Sequence, residues 1–268
     1  VIGVEASVMS RDDALFQYLL RLGDTPLVLA QRLGEWVGKG PIVEEDIAST
    51  NVGLDLLGQA RLWLSYAGEV EARIRGKGRD EDQLAFLRDS GDFRNLLIVE
   101  QPNGNYADTM ARQFLFDAWH ALALDALARS TDARIAEIAA KAAKEVAYHV
   151  ERSGAWVVRL GDGTDISHAR MQASIDGLWM YTGEMFTTDA VDAALIEAGV
   201  AADFRSLEAP WQAHVASVLA EATLAVPRDV SMQGANARGG KQGRHTEHLG
   251  HMLPEMQFLQ RAYPGLQW

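Results

Sequence analysis

The 268-residue sequence contains no cysteine, which excludes disulfides, thiolate metal sites and cysteine nucleophiles. Long apolar runs are missing as well. No stretch approaches the ~18 uninterrupted apolar residues of a membrane helix, so no membrane association and a cytoplasmic location are expected. No run of lysine and arginine offsets a formal net charge of −12, and a nucleic-acid surface needs a basic patch. Alternating β-branched residues, the mark of strands, are lacking, and so are internal repeats. Proline is scarce: seven residues, none between Pro41 and Pro102 or between Pro102 and Pro210. Proline inside a helix costs roughly 3 kcal/mol, so these long proline-free stretches, rich in Ala, Leu, Glu and Arg, favour long helices.

The pattern predicts helices over 11–38, 44–76, 105–130, 133–160, 167–186, 203–226 and 245–262. Gly40-Pro41 separates the first two, and Gln101-Pro102-Asn103-Gly104-Asn105 is a turn by composition. Gly161–Thr164 ends the fourth, with Thr164 or Ser167 able to cap the fifth. Asp24-Thr25-Pro26 has the form of a cap followed by a helix-starting proline, so the first helix is expected to be split or kinked there, with Asp24 as cap. Residues 1–10 are expected to be a disordered extension, with 11–268 a single domain. Arg238–Gly243 is expected to be a mobile, glycine-rich basic loop, and Arg238–Arg244 could approach a phosphate. Four helices of about 25 residues with a long link over 77–104 predict an all-α, ferritin-like four-helix bundle with additional C-terminal helices.

Several carboxylates fall where a bundle normally buries aliphatic residues. At 100° per residue, Asp117 lies within the stripe Met110, Phe114, Ala121, Leu124 and Ala128, with His120 on the adjacent side. The second helix is apolar almost all round, through Ile47, Val52, Leu54, Leu56, Leu57, Leu62, Trp63 and Leu64, yet Asn51, Asp55 and Gly58 share one face of it. Glu145 and His149 sit one turn apart at the edge of the stripe Ile135, Ala139, Ala142, Val146, Val150 and Val157. Buried acids require a metal, a shared proton or a basic partner. Carboxylate-bridged di-iron bundles take an acid from each of two helices and Glu-x-x-His from each of the other two. Here carboxylate-x-x-His occurs only at Asp117–His120 and at Asp165–His168, the latter beside a glycine-rich turn. The corresponding patterns elsewhere read Glu145-Val-Ala-Tyr148, with His149 displaced by one, and Asp55-Leu-Leu-Gly58. Acids without imidazoles are the signature of a degenerate site. Two alternatives stand beside it: Asp117 paired with an Arg or His of a neighbouring helix, and an atypical working metal site from Asp117, His120, Glu145 and His149. His245, His248 and His251 raise a zinc reading, but His251 rotates off the face of the other two and Glu247 does not complete His-Glu-x-x-His.

Longer blocks carry a specific resemblance: Leu19–Asp24 (LLRLGD), Arg32–Trp36 (RLGEW), Asn51–Arg61 (NVGLDLLGQAR), Asn95–Asp108 (NLLIVEQPNGNYAD), Lys144–His149 (KEVAYH), Arg159–Thr164 (RLGDGT) and His245–Gln260 (HTEHLGHMLPEMQFLQ). In these, from about Leu15 to Trp268, the sequence resembles the structural C-type subunits of bacterial phenylacetyl-CoA epoxidases (phenylacetate-CoA oxygenases). The resemblance implies a ferritin-like fold and a role in aerobic phenylacetate catabolism. It implies partners: a homologous A-type catalytic oxygenase subunit holding a di-iron centre, a small B-type subunit, and a reductase carrying flavin and an iron–sulfur cluster. It implies no catalytic residue, metal or other cofactor in this chain. Asp24, Asp55, Asp117 and Glu145 then occupy degenerate pseudo-ligand positions, with Gly58 and Tyr148 where histidines would sit and His120 and His149 nearby. A homodimer is expected when the partner is lacking.

Overall fold

The computed structural model describes residues 9–228 and 239–266, and among these the chain is helical with no strand. Helix α1 (Arg11–Gly34) starts at Ser10, whose hydroxyl accepts from the Asp13 amide at 3.1 Å. The expected extension over 1–10 thus yields its last residue to a helix cap, and residues 1–8 lie outside the described residues. The expected break at Pro26 does not occur: α1 runs unbroken through it, and Asp24 is a mid-helix residue, not a cap. Burial decides this, because residues 23–30 are all buried and the packing of that turn outweighs the lost amide hydrogen bond.

Helix α2 (Val43–Arg75) lies along α1. The two approach closely at Gly23, where a Cβ would stand 2.8 Å from the Leu64 side chain. Gly76, at φ 76°, closes α2 by donating to the Ala72 carbonyl at 2.8 Å. The chain then doubles back across the helix end. A Cβ on Gly68 would meet the Arg79 carbonyl oxygen at 1.9 Å, so only glycine fits. Glu71 fixes the turn, accepting from the Arg79 backbone amide and guanidinium at 2.8–3.0 Å.

The link over 77–104 is the crossover that the sequence predicts, but it is not featureless. It carries the short helix α3 (Glu81–Phe86) and 3-10 turns at Ser90–Asp92 and Leu97–Glu100. Asp24 holds it against α1. Its carboxylate is gripped by both terminal nitrogens of Arg88 and accepts from the Arg94 backbone amide at 2.8 Å. The Arg88 guanidinium also lies 4.3 Å from the centre of the Phe93 ring, and both charged groups are buried. Further along, Thr25 accepts from the Leu96 amide, and Arg32 donates twice to the Glu100 carbonyl at 2.7 and 3.0 Å.

Helix α4 (Tyr106–Leu127) begins with an Asn105–Asp108 capping box, and α5 (Ala133–Gly161) begins at Asp132. They pack along each other, and the pair meets α1 and α2 chiefly through α2 and α5. Helix α6 (Asp165–Trp179) is capped by Thr164 with Ser167 completing the box. It ends seven residues short of its predicted end, giving way to a 3-10 turn at Thr182–Phe186. Helix α7 (Ala190–Glu197) is absent from the sequence reading. Eight residues are too few for a clear period, and its start depends on the Asp189–Asp192 box. The helix expected over 203–226 is confined to α8 (Glu208–Glu221), with Thr223 at φ 59° beyond its end. Helix α9 (Glu247–Ala262) closes the fold.

The loop before α9 corrects another expectation. Gly239–Thr246 is a clamp, not a free basic loop, and Arg238 lies outside the described residues. Lys241 is buried, donating to Asp192 at 2.9 Å and to the Thr187 carbonyl at 2.7 Å. Asp192 also takes Arg21 of α1 at 2.9 Å. Buried Glu184 accepts from the Leu97 and Lys241 amides at 2.7 and 3.2 Å. Glu100 accepts from the Thr246 amide and faces His245 Nδ1, whose Nε2 lies 3.0 Å from the Phe93 carbonyl. His245 is therefore occupied on both ring nitrogens, which removes the zinc reading of that histidine group.

Removing one member of a buried ion pair leaves the other without compensation, at about 3–5 kcal/mol. Arg88→Met is expected to lower the unfolding free energy by that amount in urea titration. The double variant Asp24→Leu/Arg88→Met should recover most of the loss. A change below about 1 kcal/mol for the single variant would mean that the crossover is held by its other contacts.

Candidate functional site: a hydrogen-bonded polar layer inside the bundle

Of the acids singled out by the sequence, Asp24 and Asp117 are buried inside the bundle and Asp55 and Glu145 are half-buried at its edge, and each meets a protein donor. Asp117 on α4 is fully buried. Its Oδ1 accepts from Gln113 Nε2 at 2.7 Å, and its Oδ2 lies 2.9 Å from Ser153 Oγ on α5. Gln113 stands one turn before Asp117 on the same helix, so the amide reaches it without distortion. The partners are thus an amide and a hydroxyl, and not the directly bonded Arg or His that the sequence suggested. His149 and Arg152 contribute at longer range through their charge.

Helices α2 and α5 run antiparallel and are joined by a ladder of polar pairs. Arg152 donates to Glu45 at 2.7 Å and to Ser49 at 2.8 Å; His149 Nε2 lies 3.0 Å from Asp55 Oδ2; Gln59 donates to Glu145 at 3.0 Å. The Tyr106 hydroxyl adds a bond to Glu45 at 2.9 Å. Inside, His120 is buried beside Phe116 and Trp119, ring centres 4.9 and 6.3 Å away. The structure therefore brings Asp117, His120, His149, Asp55 and Glu145 into adjoining parts of one layer. Asp24 is engaged instead by Arg88 of the crossover.

Two positions read as sites of lost histidines do not turn inward. Tyr148 is 51% exposed, and a Cβ on Gly58 would meet nothing within 4 Å. The inner face of α2 is Ser49, Val52, Leu56, Gln59 and Trp63, one position out of step with Asp55 and Gly58. Sequence reasoning missed Gln59, Gln113, Arg152 and Ser153. Their signal was present as polar residues on otherwise apolar faces, but the search for metal ligands passed over amides and hydroxyls. Among the described residues, no three His, Cys, Asp or Glu side chains converge closely enough to hold a metal ion.

Burial pushes the Asp117 carboxyl up to about 6, against the opposing pull of the His149 charge and the Ser153 and Gln113 hydrogen bonds. Burial, then the His149 charge, drives His120 down to about 3, so its ring is neutral at pH 7. The two groups have opposite linkage. The folded state binds the Asp117 proton more tightly than the unfolded chain, so this contribution is full below pH ~4 and lost as pH rises through about 6. His120 costs stability in acid, because the unfolded chain takes up its proton first. Asp117→Asn keeps the Gln113 bond, and Ser153 can turn its proton to the His149 carbonyl at 2.8 Å. Relative to the parent, the variant is expected to gain up to about 3 kcal/mol at pH 7 and nothing near pH 4. Urea midpoints across that range check it; His120 cancels in the difference, and a flat difference would place the Asp117 carboxyl in an ordinary environment.

Residues 4–268 match a family model described as phenylacetic acid catabolic protein. The C-type subunit of the 1,2-phenylacetyl-CoA epoxidase of Escherichia coli (strain K12) is 54% identical to this chain over 254 residues, covering 95% of this chain and 99% of the relative. The helical bundle agrees with the ferritin-like fold of that family. With the match spanning both halves of the bundle, the crossover and the C-terminal clamp, this chain belongs to the phenylacetic acid catabolic protein family.

Proposed function

We propose that this chain is the non-catalytic structural subunit of a multicomponent ring-1,2-phenylacetyl-CoA epoxidase of aerobic phenylacetate catabolism. In this reading it supports a homologous A-type catalytic subunit, which holds the di-iron centre, alongside a small B-type subunit and a flavin and iron–sulfur reductase. The complex places one oxygen atom of O₂ on the aromatic ring as an epoxide and reduces the other to water with two electrons from the reductase. The reading takes its activity from the name of the Escherichia coli relative. The observation that carries this chain's own role is the engagement of its acids. Asp24 is bound by Arg88, Asp117 by Gln113 and Ser153, Glu145 by Gln59, and Asp55 by His149.

This donor set does not fit an iron pair. A dinuclear centre needs carboxylates and imidazoles converging from four helices, whereas here guanidinium, amide and hydroxyl donors stand against three of the carboxylates and a single imidazole, His149, stands against the fourth, Asp55. The residues present do something else well: they stiffen. Polar pairs along α2 and α5, closed off from water on one side, hold the two helices in register. A rigid neighbour can keep the ligand helices of a catalytic subunit in place without touching the reacting atoms.

Elemental analysis of the purified chain, by itself and with the catalytic subunit, tests the proposal. Iron well below about one atom per isolated chain, and about two atoms per heteropair, is the expected result. Product formation should need both chains. Two iron atoms in the isolated chain would overturn it, and Asp117, His120, Glu145 and His149 would then have to be treated as a working metal site.

A further inference from the structure

Away from the α2–α5 ladder, where α1, the crossover, α4 and the C-terminal clamp meet, three buried side chains each keep a polar atom in hand. Tyr18 and Arg21 come from α1 and Trp119 from α4, and all three are more than nine-tenths buried. Among the described residues, Tyr18 Oη, Arg21 Nε and Trp119 Nε1 have no hydrogen-bond partner. Arg21 has committed its other two nitrogens, Nη1 to Asp189 and Asp192 and Nη2 to Asp189. Buried polar atoms in folded proteins are paired with protein or with ordered water, so three unpaired ones at one junction call for a shared partner.

Tyr18, Arg21 and Trp119 line one hollow, with Met185 and Phe204 on its apolar sides and Asp192 on its polar side. The hollow offers about 20 Å³ to a water-sized molecule, and one water needs roughly 10–15 Å³. Size therefore excludes a carboxylate, a phosphate or any larger ligand. Chemistry excludes a cation, because a guanidinium and an indole can only donate. A small anion is disfavoured by the charges already present. Asp189 and Asp192 balance Arg21 and Lys241, and Arg94 at the edge of the hollow is bonded to Gln17 and to the Gly91 and Phe93 carbonyls. A further negative charge beside Asp192 would be buried at a cost. Water meets every requirement: it accepts from Arg21 Nε and Trp119 Nε1 and donates to Tyr18 Oη, with Asp192 or Thr25 as a fourth neighbour.

We propose that this hollow is a binding site for a single ordered water, held by Tyr18, Arg21 and Trp119. The water joins α1 to α4, as the polar ladder joins α2 to α5. Its position also carries the clamp inward: Lys241 grips Asp192, Asp192 grips Arg21, and Arg21 passes the connection through the water to α4. Trp119 lies between Asp117 and His120 in the sequence, so the water fixes the rotation of the turn that carries both buried groups.

Two measurements on the full chain test this. The first is water-selective cross-relaxation NMR of the indole Nε1 protons, with Trp119→Phe identifying the Trp119 signal by its loss. Trp211 is the internal control, since it is equally buried and its indole donates to the Leu115 carbonyl at 3.0 Å. The Trp119 proton should show a cross-peak to water and the Trp211 proton none. The second is a high-resolution crystal structure of the parent grown in bromide, with data collected at the bromine absorption edge. It should show one peak that refines as oxygen, within hydrogen-bond reach of Arg21 Nε, Trp119 Nε1 and Tyr18 Oη, and no anomalous signal there. A hollow without density, or a Trp119 proton as silent toward water as that of Trp211, would overturn the site. A bromide peak between the three groups would overturn the choice of water in favour of a small anion.

Discussion

The buried pair between Asp24 and Arg88 is the constraint on which the architecture turns. A crossover link of nearly thirty residues has little regular structure to fix its path, and ordering it costs backbone entropy at every residue. Asp24 sits in the middle of α1, next to Gly23 where α2 packs close against it, and takes both Arg88 and the Arg94 amide. One carboxylate thereby fixes the crossover at two points six residues apart. The rest of the link then has a defined place to go: Leu96 reaches Thr25, and Glu100 reaches Arg32, each further along α1. Where α4 begins relative to α1 follows from that path, and with it the depth at which Asp117 enters the bundle. The pair supplies placement more than net stability, since two well-packed apolar residues could serve stability equally well.

Much of this is legible in the sequence because it is local. Proline spacing and helix punctuation locate α2 and α5 to within a residue and α4 to within three, and Thr164 stands out as a cap. What is not legible depends on partners far away in the chain. Asp24 beside Pro26 has every local mark of a helix start, and only Arg88, sixty-four residues on, explains it as a mid-helix acid. Lys241 reads as part of a basic loop until Asp192 and Glu184 are seen beneath it. No periodicity reports such pairs, since each is a single residue whose charge is matched only in three dimensions.

The candidate site departs from its sequence pattern for a more specific reason. A helical wheel gives the angle between residues but not which direction is inward. For α5, with one apolar stripe, the stripe itself points to the core, and His149 falls correctly at its edge. For α2, apolar on both sides, that reference is lost. The wheel sets Asp55 and Gly58 on one inward face, whereas Gln59 and Ser49 look inward and Gly58 looks out. The template of metal ligands then supplies an expectation that geometry alone would not, placing Gly58 and Tyr148 as vanished histidines.

The ambiguity of α2 is itself a physical statement about the molecule. A helix that confuses the inward direction does so because it has apolar surface to bury on two sides, and one fold can bury only one of them. The polar layer settles which of the two sides faces in. Glu45, Asp55 and Gln59 keep their hydrogen-bonded partners on α5 only while α2 stays in register. A bundle with an iron pair would fix the same register through metal bonds. In this chain an amide, a hydroxyl, an imidazole and a guanidinium group do it, so that α2 is tied to α5 at four successive points along its length.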